Sequence, residues 1–141
     1  MKRERRWVVA ALLLGALVLP ACREVTTEEP TGSEPYRVEP IEGTDVARVI
    51  LTEEGAQRIG LETATVVESV AGSEVPASAI WIDVDGQEWV YTSPEALTFV
   101  REPVVVDRYE DDAALLGEGP EPGTEVVSVG VAELIGSELG I

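Results

Sequence analysis

The sequence contains no histidine, one cysteine (Cys22) and one methionine (Met1), and its only lysine is Lys2. Without histidine, Ser–His and Cys–His catalytic pairs cannot form, and metal sites built from several His or Cys side chains are excluded. Thioether and imidazole ligands for soft metals such as copper are missing beyond Met1. A single cysteine also excludes an intramolecular disulfide. We therefore expect no catalytic, cofactor-binding or metal-binding residues.

Carboxylates are abundant: 27 Asp and Glu stand against 10 Lys and Arg, a net charge of -17. Asp83, Asp85 and Glu88 fall at one predicted turn, and Asp111 and Asp112 follow a predicted strand. In a calcium-binding EF-hand loop the glycine would be sixth from the first aspartate, but here Gly is fourth. Turn formation explains Asp85–Gly86 without an ion, and the abundance of carboxylates explains any other pair by chance placement. A carboxylate hydrolase is therefore the least favoured function, and we expect no enzymatic activity.

The N-terminus has the order of a secretory signal. Four basic residues among residues 2–6 precede an apolar run at residues 7–19, which is shorter than the ~20 residues that span a bilayer. Residues 19–22, LPAC, resemble the lipobox of bacterial lipoproteins. We predict a lipoprotein signal peptide at residues 1–21 and lipid attachment at Cys22, on the extracytoplasmic face of the cytoplasmic membrane. The alternative is an uncleaved N-terminal anchor with an incidental cysteine.

Residues 22–44 are rich in Glu, Pro, Thr and Gly, with almost no apolar periodicity. Such a segment buries too little apolar surface to offset the entropy of ordering, so it is predicted to be a disordered acidic linker. Beyond residue 21 the chain keeps 6 Arg and 26 Asp plus Glu, a net charge near -20. This charge repels phosphates, so we expect no nucleic-acid partner and no binding to anionic lipid head groups.

Residues 46–51 (VARVIL) favour a strand, and Thr52 is placed as the N-cap of a short helix that ends at Gly60. Residues 61–70 alternate apolar and polar side chains and predict a second strand. Residues 71–74 (AGSE) are expected to form a flexible join.

Residues 75–134 predict consecutive short strands joined by turns. Asp85–Gly86 indicates a hairpin with a type I′ turn, Pro94–Glu95 the next turn, and Pro103 a bend or an edge in the strand that follows. A loop at residues 117–123 precedes a last strand, and residues 131–139 form a short helix or remain loose. The aromatic residues are expected in the core and in cross-strand packing, with Val105 also in the core: Trp81, Trp89, Tyr91 and Phe99. The predicted fold class is all-β and mainly antiparallel, a small β-barrel or β-roll with one short helix over residues 45–141.

Three motifs in the C-terminal half carry a resemblance: residues 75–80 (VPASAI), 101–106 (REPVVV) and 119–127 (GPEPGTEVV). Their order resembles the membrane-proximal domain of the periplasmic adaptor proteins of bacterial efflux pumps, the HlyD-like membrane fusion proteins. Residues 49–66 are similar to the entry sequence of the same domain. The lipoyl, β-barrel and α-hairpin domains that separate these two parts in a full adaptor are missing, and residues 71–74 stand in their place.

The resemblance implies a non-enzymatic accessory or regulatory subunit of an efflux-type inner-membrane transporter. Without the α-hairpin, the chain would not reach an outer-membrane channel. The alternative is a stand-alone envelope lipoprotein that binds another protein, or cations, through its acidic surface. A generic small β-barrel with similar turns would also produce these motifs.

Overall fold

The computed structural model of the chain describes residues 34–70 and 72–141. Within them the chain forms ten strands, two α-helices and a 3₁₀ turn at Ala77–Ala79. The strands are β1 (Tyr36–Pro40), β2 (Ala47–Leu51), β3 (Glu62–Thr65), β4 (Val67–Ser69), β5 (Gly72–Pro76), β6 (Trp81–Ile82), β7 (Glu88–Glu95), β8 (Thr98–Glu110), β9 (Ala113–Glu118) and β10 (Glu125–Val129); the helices are α1 (Glu53–Ile59) and α2 (Val131–Leu139). The predicted all-β, mainly antiparallel fold is confirmed, with two helices instead of one.

The sheet closes nearly into a barrel through one short chain segment. Its strand order is β3-β10-β7-β8-β9-β5-β4, and every pairing is antiparallel. The two outermost strands, β3 and β4, are separated in the chain only by Val66. Val66 is buried; its N–H donates to the Thr124 carbonyl (2.8 Å), and its carbonyl accepts from Gly123 N–H (2.8 Å). Residues 62–69 therefore join both ends of the sheet.

Apolar side chains fill both faces of the sheet, because neighbouring residues of a strand point to opposite sides. The first core, inside the barrel, contains Val90 and Val126, and the second contains Tyr91 and Val127. The second core also receives Leu134 from α2 and the half-buried Ala56 and Ile59 from α1. The two helices thus cover the outer face of the strands that form the barrel wall.

Strand β8 serves two sheet regions in succession. Thr98–Val100 pair with β2, Val105–Glu110 pair with β9, and β7 lies along the other side. Pro103 falls between these two regions, where among the described residues β8 has β7 alone as a ladder partner. A missing N–H is therefore harmless at this position. The predicted interruption at Pro103 marks the change of partner strand.

Helix α1 has the ends expected from the sequence. The Thr52 hydroxyl accepts from Gly55 N–H (3.0 Å), and Gly60 ends the helix with a left-handed φ of 63°. The tail, for which a helix or a loose end was expected, forms α2. Its Leu134 is fully buried against the sheet, which fixes the tail as a helix.

The domain boundary predicted at residue 45 is wrong, because Tyr36–Pro40 form strand β1. This strand pairs antiparallel with β2, from Tyr36 opposite Leu51 to Pro40 opposite Ala47. The Pro35 carbonyl also accepts from Thr52 N–H (2.9 Å). Ordering here comes from main-chain pairing, which composition does not reveal. The rest of the predicted linker that precedes residue 34 lies outside the described residues.

The join expected at residues 71–74 is also wrong. Residues 61–70 form two strands instead of one, and Gly72–Pro76 form β5, which pairs with β4 on one side and β9 on the other. Ser73 is buried, and Gly72 has φ 132°, where an added Cβ would lie 2.6 Å from the Leu116 carbonyl oxygen. Ala71 lies outside the described residues. The barrel wall therefore continues through the position where an adaptor's other domains would depart.

Two turns differ from the sequence expectation. At the β6–β7 hairpin, Gly86 N–H donates to the Asp83 carbonyl (3.1 Å), and only Gly86 of the Asp85–Gly86 pair has positive φ. The turn therefore consists of residues 83–86, with the left-handed Gly86 as its last residue, and it is not type I′. Residues 94–95 belong to β7, and the next turn lies at Ala96–Leu97, with Leu97 at φ 58°.

Candidate functional site

A buried ion pair joins the C-terminal helix to the barrel wall. Arg101 of β8 donates from Nε to Glu138 Oε1 of α2 at 2.8 Å, and their side chains are 8% and 3% exposed. The Arg101 Nη2 also donates to the Asp45 carbonyl (2.6 Å) and lies 3.5 Å from the Asp45 carboxylate. Burial of both charges makes their mutual neutralisation essential, since an unpaired buried charge is strongly destabilising.

Glu138 also collects two further donors. Its Oε1 accepts from Ala47 N–H (3.0 Å), and its Oε2 accepts from the Tyr91 hydroxyl (2.6 Å). Burial first, and then the hydrogen bond to Glu138 and the charge of Glu138, raise the pKa of the Tyr91 hydroxyl. One carboxylate thus ties together β2, β7, β8 and α2.

The network extends from Arg101 to the β6–β7 hairpin. The Arg101 guanidinium stacks over the Trp89 ring at 4.5 Å from the ring centre, and Trp89 Nε1 donates to Asp83 Oδ2 (3.0 Å). Asp83 Oδ1 accepts from the N–H groups of Asp85 and Gln87, both at 2.9 Å. The Trp89 hydrogen bond is the main cause that lowers the pKa of Asp83. A cation–π contact and a charged turn are therefore parts of one connected arrangement.

This cluster, defined by Arg101, Glu138, Tyr91, Trp89 and Asp83, is called the Arg101 network below. Among the described residues that are not exposed, every buried side-chain nitrogen or oxygen has a hydrogen-bond partner. The carboxylate of Glu138 accepts hydrogen bonds from three donors, and these bonds stabilise the fold. The network therefore has a positioning role: it holds α2 and the β6–β7 hairpin against the barrel wall.

A second acidic region lies at the β8–β9 turn. An open cleft of about 630 Å³ is lined there by Glu74, Glu110, Asp111 and Asp112, with Val67 and Pro76 on its apolar part. Asp111 and Asp112 directly follow strand β8, as the sequence predicted, and they form the turn to β9, where Asp111 has φ 50°. In the described ranges, no group of three or more His, Cys, Asp or Glu residues is arranged to hold a metal ion.

The aromatic residues divide into two groups. Tyr91 and Phe99 are buried in the second core, as expected. Trp81 and Trp89 are half-buried cross-strand partners on the outer face. Val105 is 47% exposed, so its predicted core position is wrong. The reason is parity: Val104 faces the barrel interior, and its neighbour faces outward.

The predicted lipid attachment residue, Cys22, lies outside the described residues, as do the predicted signal peptide and most of the predicted linker. Among the helices of the described residues, none has the length and apolar character needed to cross a membrane.

Sequence reasoning missed Glu138, which accepts hydrogen bonds from Ala47, Tyr91 and Arg101 in the network. Arg101 belongs to the motif at residues 101–106, and Glu138 belongs to the tail for which a short helix or a loose end was predicted. A usable signal was the helical spacing of Val131, Leu134 and Ile135, which places these apolar residues on one face of a helix next to the core. That face brings the C-terminal turn to the sheet, although the partner of Glu138 cannot be read from the spacing.

Comparisons with known proteins found no matching family model, no matching curated protein and no matching solved structure.

Proposed function

We propose that this chain is a non-enzymatic envelope lipoprotein that serves as an accessory or regulatory subunit of an efflux-type transporter in the inner membrane. A lipid on Cys22 holds it at the extracytoplasmic face of that membrane, and the barrel contacts the extracytoplasmic part of the transporter. The proposal combines the N-terminal signal with the resemblance to the membrane-proximal domain of efflux adaptors.

The observation that carries the proposal is that the two resembling segments share one sheet. Residues of the entry segment pair with the C-terminal half twice: Val49 and Ile50 of β2 lie opposite Phe99 and Thr98 of β8, and β3 lies against β10. A domain built from both sides of a deleted insertion requires this pairing. The continuous β4–β5–β9 pairing supports the proposal, because a domain that lacks the adaptor's other parts would need a closed wall at this point.

Charge supports a protein partner. Residues 34–70 and 72–141 carry 23 Asp and Glu but only 5 Arg. Each of these arginines lies within 4 Å of a carboxylate: Arg37 and Arg48 at Glu39, Arg58 at Glu54, Arg101 at Glu138 and Arg108 at Glu110. The remaining carboxylates repel nucleic acid and anionic lipid, and they attract a basic protein surface.

Chain length supports a partner close to the membrane. From Cys22 to Glu34 the chain spans at most about 40 Å at ~3.5 Å per residue. A barrel held by a lipid on Cys22 would therefore stay within reach of the extracytoplasmic loops and domains of an integral membrane protein.

The test is affinity purification of the tagged protein from detergent-solubilised membranes, with Cys22→Ser as the control. We expect the wild-type chain to incorporate labelled fatty acid and to retain a transporter, and Cys22→Ser to lose the label. Fatty-acid incorporation by Cys22→Ser would refute the anchor. A labelled wild-type protein that retains no transporter would refute the subunit role.

The alternative is a stand-alone lipoprotein that attracts cations to the acidic cleft beside Glu74 and Asp112, whose described carboxylates are not arranged as a coordinated metal site. Calcium titration followed by thermal unfolding separates it from the proposal. A Tm that rises with calcium would favour this alternative, since a ligand that binds only the folded state stabilises it.

A further inference from the structure

The β6–β7 hairpin carries an apolar side chain at its tip. Val84 is fully exposed, and it stands between Asp83 and Asp85 in the turn. A β-branched residue contributes nothing to a turn of this kind, where Asp, Asn, Gly and Pro are favoured. Its place at the tip therefore calls for a reason outside the local backbone.

The tip is held in one conformation. The Asp83 carboxylate accepts three hydrogen bonds, from Asp85 N–H, Gln87 N–H and Trp89 Nε1. Main-chain bonds from Asp83 N–H to the Gln87 carbonyl (2.9 Å) and from Gly86 N–H to Asp83 close the loop. A side chain presented by a pre-ordered loop loses little entropy on binding, which is the condition for an efficient anchor.

The outer face behind the tip is also apolar. Trp81, Trp89 and Pro103 are cross-strand partners in one row over β6, β7 and β8. Val105 lies two residues beyond Pro103 on β8 and so points to the same side. We call this row, together with Val105 and the exposed Val84 of the turn between β6 and β7, the tip face: Trp81, Val84, Trp89, Pro103 and Val105. Partly exposed tryptophans next to exposed aliphatic side chains are typical of the centres of protein interfaces.

We propose that the tip face docks onto an extracytoplasmic protein surface that has an apolar pocket rimmed by lysine and arginine. Charge selects this occupant. Asp83 and Asp85 flank Val84, and Arg101, the cation beneath Trp89, is buried and neutralised by Glu138. A second copy of this acidic chain or an anionic bilayer would be repelled, whereas a basic rim is complementary. The inference rests on one part of the proposed function, namely that the domain binds a protein, and it does not require that protein to be a transporter.

The chain offers a matched control for the tip face. Val84 and Val105 are fully exposed and 47% exposed, and at the β4–β5 hairpin Val70 and Val67 are fully exposed and 48% exposed. The double variants Val84→Ser/Val105→Ser and Val67→Ser/Val70→Ser therefore remove nearly equal exposed apolar surface without a change in charge. Both are expected to melt like the wild type, because exposed substitutions have small effects on stability.

The experiment compares both double variants with the wild type in affinity purification from solubilised membranes. A photo-reactive amino acid at position 84, and at position 70 as control, maps the contact in intact cells. The tip variant should retain the partner roughly tenfold less or worse, since anchor residues dominate binding energy. The Val67/Val70 variant should retain it fully. The peptide crosslinked from position 84 should be rich in lysine and arginine, and higher salt should reduce its capture.

The outcomes separate the surface from the proposed function. Equal retention by the two double variants, or crosslinks from position 84 to lipid, to a second copy or to an acidic peptide, would overturn the tip face. A transporter retained by both variants keeps the proposed function while the tip face falls. A basic partner captured at position 84 that is not a transporter supports the tip face and overturns the transporter role. No crosslinked product at position 84 overturns the tip face directly.

Discussion

Replacing Glu138 by Gln removes the charge that neutralises Arg101 while it preserves the size of the side chain. Glu138 Oε1 accepts from Arg101 Nε at 2.8 Å and from Ala47 N–H at 3.0 Å, and Oε2 accepts from the Tyr91 hydroxyl at 2.6 Å. A glutamine has one accepting oxygen in place of two. Arg101 would also remain buried, with only the exposed Asp45 carboxylate at 3.5 Å to balance its charge.

The expected loss follows from this burial. Removal of one partner of a buried ion pair costs about 3–5 kcal/mol, because the other charge stays buried without compensation. The free energy of unfolding of a typical domain is about 5–15 kcal/mol, so Glu138→Gln should fold but be strongly destabilised. In the double variant Arg101→Met/Glu138→Gln the stranded charge is gone. Its cost should therefore fall short of the sum of the single costs by about 0.5–3 kcal/mol.

Urea unfolding followed by tryptophan fluorescence measures these losses as shifts of the midpoint at an unchanged m value. Trp89 reports on the network directly, because Arg101 stacks on its ring. The control is Glu54→Gln, which breaks the exposed Arg58–Glu54 pair of α1 and should cost about 0.3–0.5 kcal/mol. A loss for Glu138→Gln as small as that of the control, or strictly additive costs in the double variant, would refute the reasoning.

Two further changes test the described structure. The raised pKa of Tyr91 means that the folded protein keeps its hydroxyl proton above pH 10 while the unfolded chain loses it; stability should therefore fall by up to about 1.4 kcal/mol per pH unit above pH 10. Tyr91→Phe should lack this part of the decline in urea titrations at several alkaline pH values, and equal declines in the two proteins would contradict the assignment. Gly72→Ala should lower the midpoint strongly, because a Cβ there would lie 2.6 Å from the Leu116 carbonyl oxygen. Gly86→Ala, also at positive φ but with open space, should lower it less, and a reversed order would argue against the β5–β9 contact.

The elements that the sequence predicts well are those in which local chemistry and burial agree. Thr52 and Gly60 are the predicted N-cap and C-cap of α1, and both residues cap the helix in the structure. The alternating valines of β10 are predicted as a strand, and its Val126 and Val127 enter different cores. The type of the β6–β7 turn was mistaken because Asp85–Gly86 fits two hairpin geometries. The choice between them depends on the Asp83 side chain, which ties down the wider turn.

The elements that the sequence does not predict are those fixed by a partner remote in the chain. Strand β1 has a composition typical of a linker, and it is ordered by pairing with β2. Gly72 and Ser73 look like a flexible join, but β4 and β9 enclose them. The sequence of a polar or glycine-rich segment does not show whether neighbouring strands are placed to pair with it on either side. Every residue except proline has the same main-chain donor and acceptor, so the amino-acid composition of a segment does not predict its main-chain hydrogen bonds.

The Arg101 network and the tip face are connected, and this connection links the stability of the fold to its proposed contact. Asp83 fixes the turn that presents Val84, and it also holds Trp89, on which Arg101 stacks. Arg101 in turn is fixed by Glu138 near the end of α2. A loss of the Glu138 charge should therefore weaken the packing of Arg101 on Trp89 as well as the attachment of α2 to the sheet. The geometry of the proposed docking surface should thus depend on a carboxylate at the opposite end of the network.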